Sequence, residues 1–275
     1  MSGFPKLWQD VLRIEESYMR RSLLLVSIFT LAASIPAHAA WINLGNQNKS
    51  GSAASLSAKG TLGKFTVDVE VPGIDVTEVG GFTTVTLPNS SKHMVAGEPE
   101  LPVLTTSVML PDRGTPTVKL VVTEEKTIQL KAKLVPSKGH FTRDIADSSV
   151  ARATGPVYAV DAEFPATGFS AEVEAPYIAR DIRGAAIRMN TVVYNPVKNT
   201  LRVAVKAHLE VTLSGDEGVN AKKRGRDGIS SEFAPLYKKL FVNYNTAEQS
   251  MVAPNENAGR AIVICPDAWV SNIQP

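Results

Sequence analysis

Apolar and polar residues alternate strictly along three stretches of the chain. Phe65, Val67, Val69 and Val71 alternate with Lys64, Thr66, Asp68 and Glu70. Ile128, Leu130, Ala132 and Leu134 alternate with Gln129, Lys131 and Lys133. Leu201, Val203, Val205, Ala207, Leu209, Val211 and Leu213 alternate with Arg202, Lys206, His208, Glu210 and Thr212. Successive strand side chains point to opposite faces, so each run has a dry and a wet face. That is the pattern of an antiparallel sheet with one face solvated. Shorter strands are expected at 82–87, 107–110, 117–123 and 185–193. They are punctuated by Val71-Pro72-Gly73, Leu87-Pro88-Asn89, Pro111-Asp112-Arg113-Gly114 and Tyr194-Asn195-Pro196. Asn195 to Asn199 closes a hairpin between Val193 and Thr200. No helical period interrupts 61–213. Seven or more short strands with turn signals predict a mainly β unit, an antiparallel β-sandwich, over 61–213.

The character changes at Ser214. Residues 214–231 form a polar, glycine-punctuated linker with Lys222-Lys223-Arg224-Gly225-Arg226 at its middle. Phe233, Leu236, Tyr237, Leu240 and Phe241 then recur at helical spacing, and Pro235 fits only a first turn, so a short helix is expected. A second polar link runs to Gly259. Ala261-Ile262-Val263-Ile264-Cys265 is an uninterrupted apolar run, as in a strand buried on both faces of a parallel sheet. Residues 260–275 are therefore expected to begin a truncated α/β domain, because a lone central strand leaves its ladder groups unpaired.

The N-terminal residues read as targeting rather than fold. Arg20-Arg21 precede a 14-residue uncharged apolar run, Ser22 to Ile35, and Ala37-His38-Ala39 supplies small residues at the positions a signal peptidase reads. Residues 1–39 are expected to be a signal peptide, with 1–18 an upstream extension and Met19 the native start. The apolar run is short of the ~20 residues of a spanning helix, so no stable membrane span is expected after cleavage. Residues 40–60, rich in Asn, Ser, Gly and Ala, read as a flexible leader. The chain has 44% hydrophobic residues, which argues against disorder. Its 29 basic and 27 acidic side chains nearly cancel, so nothing points to nucleic acid. One cysteine excludes an internal disulfide and a thiolate metal cluster.

Catalytic groups are scarce. His93, His140 and His208 have no partner at ligand spacing, and no metal-binding, nucleophile-elbow or phosphate-loop motif occurs. Cys265, in an apolar strand, reads as a packed residue, since a reactive thiol needs a base and an electropositive opening. Asp112, Asp144, Asp181 and Asp267 sit at turns or element ends, where capping explains them. Lys222, Lys223, Arg224 and Arg226 read either as a solvated loop or as a processing site, since a protease needs an extended, accessible backbone. Arg143 and Arg152 lie in the weakly structured stretch 139–156. They are surface arginines or loop cations able to enter an acidic pocket.

Three segments together carry a resemblance. Gly97-Glu98-Pro99-Glu100-Leu101-Pro102-Val103, followed by Val108-Met109-Leu110-Pro111, resembles a Gly-x-Pro-x-Leu-Pro element and its following strand. Ile182-Arg183-Gly184, Val193-Tyr194-Asn195-Pro196 and Leu201-Arg202-Val203 resemble an Arg-Gly and Tyr-Asn-Pro hairpin. Gly259-Arg260-Ala261-Ile262-Val263-Ile264-Cys265-Pro266-Asp267 resembles the first strand of a catalytic domain. Their order, from about Val67 onward, is similar to the secreted pro-region of the gingipain-like cysteine peptidases. The resemblance implies an all-β pro-domain that holds the enzyme latent by covering its cleft, assists its folding and is released by cleavage. It implies a cognate catalytic domain in cis and a processing protease as partners, a periplasmic, outer-membrane or extracellular location, and no cofactor. It places the catalytic Cys and His beyond Pro275. Cys265 does not match the nucleophile position, so this chain alone is expected to be inactive. In that setting Arg143 or Arg152 is the candidate for the cleft. The competing reading is a free-standing secreted adhesion module. Trp41 and Trp269 lie outside 61–213 and Trp8 in the discarded leader, which leaves that unit no tryptophan platform for sugar. A third reading, an active enzyme in itself, lacks catalytic groups.

Overall fold

The computed structural model describes residues 39–45, 50–180, 182–222 and 232–248, with Pro266 and Ala268. They form a mainly β architecture of antiparallel sheets. Its strands are β1 (Ala39–Asn43), β2 (Ser55–Thr61), β3 (Lys64–Glu70), β4 (Gly73–Val79), β5 (Phe82–Thr86), β6 (Ser91–Lys92), β7 (Pro102–Leu110), β8 (Pro116–Gln129), β9 (Ser170–Val173), β10 (Tyr177–Ala179), β11 (Ile182–Asn190), β12 (Val192–Asn195) and β13 (Thr200–Leu213). Two short helices follow, α1 (Ala234–Leu240) and α2 (Tyr244–Glu248).

The strands make three sheets. One has the order β1-β4-β5. A second runs β10-β11-β7-β6, with β9 also paired to β11. The third runs β12-β13-β3-β2, with β8 paired to β13. Strand β13 organises the third sheet. Along one edge it pairs with β8 over its whole length; along the other it pairs first with β12 and then with β3. Its predicted dry face is the observed one: Leu201, Val203, Val205, Ala207, Leu209 and Val211 are all buried. They share one core with Phe65, Val67 and Val69 of β3, Val108 of β7, Ile187 and Met189 of β11, and Ile74 and Val85 of the first sheet. Burying each of the larger of these side chains, the Val, Leu, Ile, Phe and Met, is worth ~1.5–3 kcal/mol. This common core binds the three sheets into one body.

The 195–199 hairpin forms as expected, and the polar residues explain why. Asn195 Oδ1 accepts the backbone N–H groups of Val197 and Lys198, and Asn199 takes the left-handed conformation at φ 53°. Tyr194 has a further role. Its hydroxyl accepts the N–H of Leu134 at 3.2 Å, while the Tyr158 hydroxyl donates to the Leu134 carbonyl at 2.8 Å. Two tyrosines thus satisfy both backbone groups of a fully buried residue that belongs to no strand.

Four expectations need correction. Residues 40–60 are not simply a flexible leader: β1 pairs with β4, and β2 pairs with β3. Trp41 lies against Gly73, where a Cβ would come within 2.3 Å of its ring, so β1 is held by an aromatic side chain that only glycine accommodates. The run 128–134 does not continue as a strand. Its first residues belong to β8, and Leu130 to Pro136 leave the sheet, touching Thr83 and Pro99 by isolated bridges. Residues 214–222 are strapped to the body rather than forming part of an open linker. Arg183 is wholly buried and donates to the carbonyls of Pro111, Gly114 and Val219, and Asn220 donates to Pro176. Last, the apolar stripe of α1 is split. Tyr237 and Phe241 are buried, whereas Leu236 and Leu240 are exposed. The helix ends at Leu240, so Phe241 is free to leave the helical path and bridge Ser107 of β7. The expected strand over 260–265 and Ala37 lie outside the described residues, while Ala39 opens β1.

Candidate functional site

One long irregular connection stands out: 137–155, between the buried stretch at Val135 and a 3-10 turn at Pro156–Ala159. Its base is built by the Gly97–Pro102 element. Glu100 N–H donates to Val135 O, Ser137 N–H to Glu98 O, Gly97 N–H to Ser137 O, and Gly155 N–H to Gly97 O. The two ends of the loop therefore lie on either side of residues 97–100. The approach at Gly97 and Gly155 is backbone against backbone. A Cβ on Gly155 would stand 2.9 Å from the Gly97 carbonyl oxygen, and Gly97 itself has φ 82°.

Charge closes the base. Glu100 is buried, and its two carboxylate oxygens accept Lys92 Nζ at 2.6 Å and Arg152 Nη1 at 3.1 Å. Arg152 Nη1 also donates to Pro136 O at 2.6 Å. Arg152 thus pins the departing end of the loop to its entry. The carboxylate is the shielded partner, 10% exposed, while Lys92 and Arg152 remain partly in water, so the bonds gain only part of the strength of a buried pair.

Arg143 is placed quite differently. Every residue from His140 to Ser149 is exposed. Ile145 N–H donates to Thr142 O at 3.1 Å, which puts Arg143 and Asp144 at the two central positions of a tight turn. The Thr142 hydroxyl and the turn's own backbone hold the Asp144 carboxyl below the usual carboxylate range. Lys138 donates to the backbone and the carboxylate of Asp147, at 2.6 and 2.8 Å, and lowers that carboxyl also. Arg143 makes no hydrogen bond or ion pair with any described residue. The structure therefore separates the two candidate arginines: Arg152 is an anchor, and Arg143 is the cation at the tip. The sequence singled out both residues and the Gly-x-Pro-x-Leu-Pro element. It carried no signal that the element is the foundation of the loop, because that relation lies in backbone pairing between segments some 40 residues apart.

The other candidates fall at the far end of the chain. Lys222 sits at the end of the strap. Its N–H donates to Asp112 O and its ammonium pairs with Asp112 at 3.1 Å, with the side chain 14% exposed. It lacks the open backbone a processing site needs. Lys223, Arg224 and Arg226 lie outside the described residues. Downstream, α1 and α2 return to the body. Asn243 is buried and holds both backbone groups of Met109, accepting its N–H at 2.7 Å and donating to its carbonyl at 3.0 Å. Phe241 occupies space that a Cβ on Gly184 would invade at 2.6 Å. The Ile182-Arg183-Gly184 motif therefore does two jobs: the arginine clasps the strap and the glycine seats the helices.

Among the described residues no cluster of His, Cys, Asp and Glu is disposed to hold a metal. No described helix is long and apolar enough to cross a membrane. What these residues assemble is an exposed turn on a base fixed by backbone pairing.

Comparison with known proteins decides the family. The Propeptide_C25 model matches residues 56–252, more than two thirds of the chain and inclusive of α1 and α2. The chain belongs to the Propeptide_C25 family. Gingipain R2 of Porphyromonas gingivalis is 32% identical over 179 residues, which cover 65% of this chain and 24% of that protein. Lys-gingipain of the same organism is 26% identical over 232 residues, 81% of this chain and 13% of the relative. The chain thus spans about a quarter or less of the curated relatives it matches. Among solved structures, the complex of P. gingivalis RgpB pro- and mature domains matches with a TM-score of 0.60 and 24% identity, over 70% of this chain and 97% of that one. A structure concerned with zymogenic latency of gingipain K matches with a TM-score of 0.54 and 22% identity, over 65% of this chain and 100% of that one. Both share the fold. This chain is a gingipain-like pro-region, and a free-standing adhesion module is not favoured.

Proposed function

We propose that this pro-region keeps a secreted cysteine endopeptidase latent and assists its folding, with the loop 137–155 entering the catalytic cleft in cis and Arg143 at its tip. The observation that carries the reading is the contrast at the two ends of that loop. Its base is fixed by backbone pairing and the Lys92–Glu100–Arg152 cluster, while its tip offers an unpaired cation. A pre-organised loop loses little conformational freedom on binding, and a guanidinium suits a pocket with a carboxylate at its floor. Stacking of the sheets over one core supports the β-sandwich as the rigid mount. Export is supported by the charged, apolar and small-residue segments ending at Ala37 and Ala39, consistent with a periplasmic, outer-membrane or extracellular address.

Release belongs to the same reading. Cleavage at Lys223, Arg224 or Arg226 by a processing protease lies beyond the strapped Lys222. The test is direct. The purified chain is mixed with the mature domain of RgpB and residual peptidase activity is titrated. The reading predicts inhibition that competes with substrate; unchanged activity at micromolar ratios overturns it.

A further inference from the structure

Exposed large apolar side chains flank Arg143 along the chain. Phe141 is 38% exposed and Ile145 41%, one on each side of it in the turn. Two more are exposed on a different segment: Met94 at 40% and Val95 at 49%, in the connection between β6 and β7. The two segments are joined. Gly139, at φ 77°, lies so close to residue 96 that a Cβ there would meet the Ala96 Cβ at 3.1 Å and its backbone N at 3.3 Å. The Gly97 pairing with Ser137 and Gly155 locks the same junction from below. The chain directly after Met94 and Val95 is thus held against the root of the turn that carries Phe141, Arg143 and Ile145.

We propose that Met94 and Val95 form, with Phe141 and Ile145, a two-segment docking platform that seats on the rim of the peptidase cleft while Arg143 enters it. The inference rests on the latency reading above and adds a separate contact that determines how long the complex lasts. The chemistry favours that occupant. Exposed apolar side chains on two joined segments beside one unpaired cation would suit the apolar rim of a carboxylate-floored pocket, the pocket the latency reading assigns to Arg143. A second copy of this chain fits poorly, because a two-fold contact through this patch would bring two Arg143 cations together. The platform also explains why these apolar residues stand in water. Apolar contacts near the centre of an interface lengthen residence, and the charge at the tip gives orientation.

The experiment uses the full chain, surface-captured, with RgpB mature domain whose catalytic thiol is alkylated as the probe. Three variants are compared with wild type: Met94→Ser with Val95→Asp, Arg143→Ala, and Val79→Asp as an exposed control on β4. The platform predicts dissociation about tenfold or more faster for the Met94/Val95 variant, with an unchanged melting temperature and no effect of Val79→Asp. Arg143→Ala should also weaken binding, and in the unalkylated enzyme it should lose blockade of substrate. Dissociation within twofold of wild type for the Met94/Val95 variant overturns the platform while leaving the Arg143 reading standing. Absence of binding by the wild type overturns the latency reading and the platform with it. Light scattering supplies a further arm: a dimer of the free chain that the Met94/Val95 substitutions dissolve would assign the patch to self-association and overturn the proposal.

Discussion

At the scale of single residues, the loop depends on two arginines with opposite environments. Arg143→Ala removes only the exposed tip, so folding stability should not change. Inhibition of the mature peptidase should weaken by about 2 kcal/mol or more, some thirtyfold in Ki, the usual cost of truncating one partner of a buried charge pair. Arg152→Ala should behave differently. It leaves the buried Glu100 with Lys92 alone and the Pro136 carbonyl without this donor, costing ~1–3 kcal/mol of stability in chemical denaturation. Both arginines stood out in the sequence as cations in an unstructured stretch. Nothing local distinguished them, because the difference is Glu100, 52 residues away. Arg183 was legible only as half of an Arg-Gly pair. That it is wholly buried among three carbonyl oxygens, with burial pulling its pKa down, is a fact of tertiary structure.

At the scale of elements, periodicity recovered the strands with one wet face. β3 and β13 are where alternation predicted them, since a half-buried strand writes its register into the sequence. β1 and β2 were missed for the same reason in reverse. β2 is polar and largely exposed, and β1, only five residues with no alternation, is held by one tryptophan over one glycine. The helix α1 was expected, but its packing was not: a seven-residue helix gains its stability from tertiary contacts, here Tyr237, Phe241 and the Asn243 clasp. Gly184→Val should therefore drive Phe241 from its seat. Hydrogen exchange should then show faster amide exchange across 234–248 with little change in β13. Equal protection in the variant and wild type would show that Gly184 does not seat the helices.

At the scale of the whole molecule, carboxylates tie the surface together. Hydrogen bonds from Lys59 and then His208 lower the Asp68 carboxyl, Asn195 and Lys198 lower Asp161, Ser214 and Thr115 lower Asp216, and Lys138 lowers Asp147. Each is depressed in the folded state relative to the unfolded chain. Their stabilisation is thus complete above the ordinary carboxylate range and is lost as pH falls through the folded values. The melting temperature should be flat from neutrality to about pH 5 and decline below about pH 4. A stability maximum below pH 4 would contradict that sign.

The central claim is that latency resides in the 140–146 turn, carried on a base that does not need it. The decisive measurement replaces those residues by a glycine-serine segment of equal length and titrates both chains against the RgpB mature domain. The account predicts competitive inhibition by the natural chain, loss of it in the swapped chain, and matching melting temperatures. Equal inhibition by both chains would contradict it.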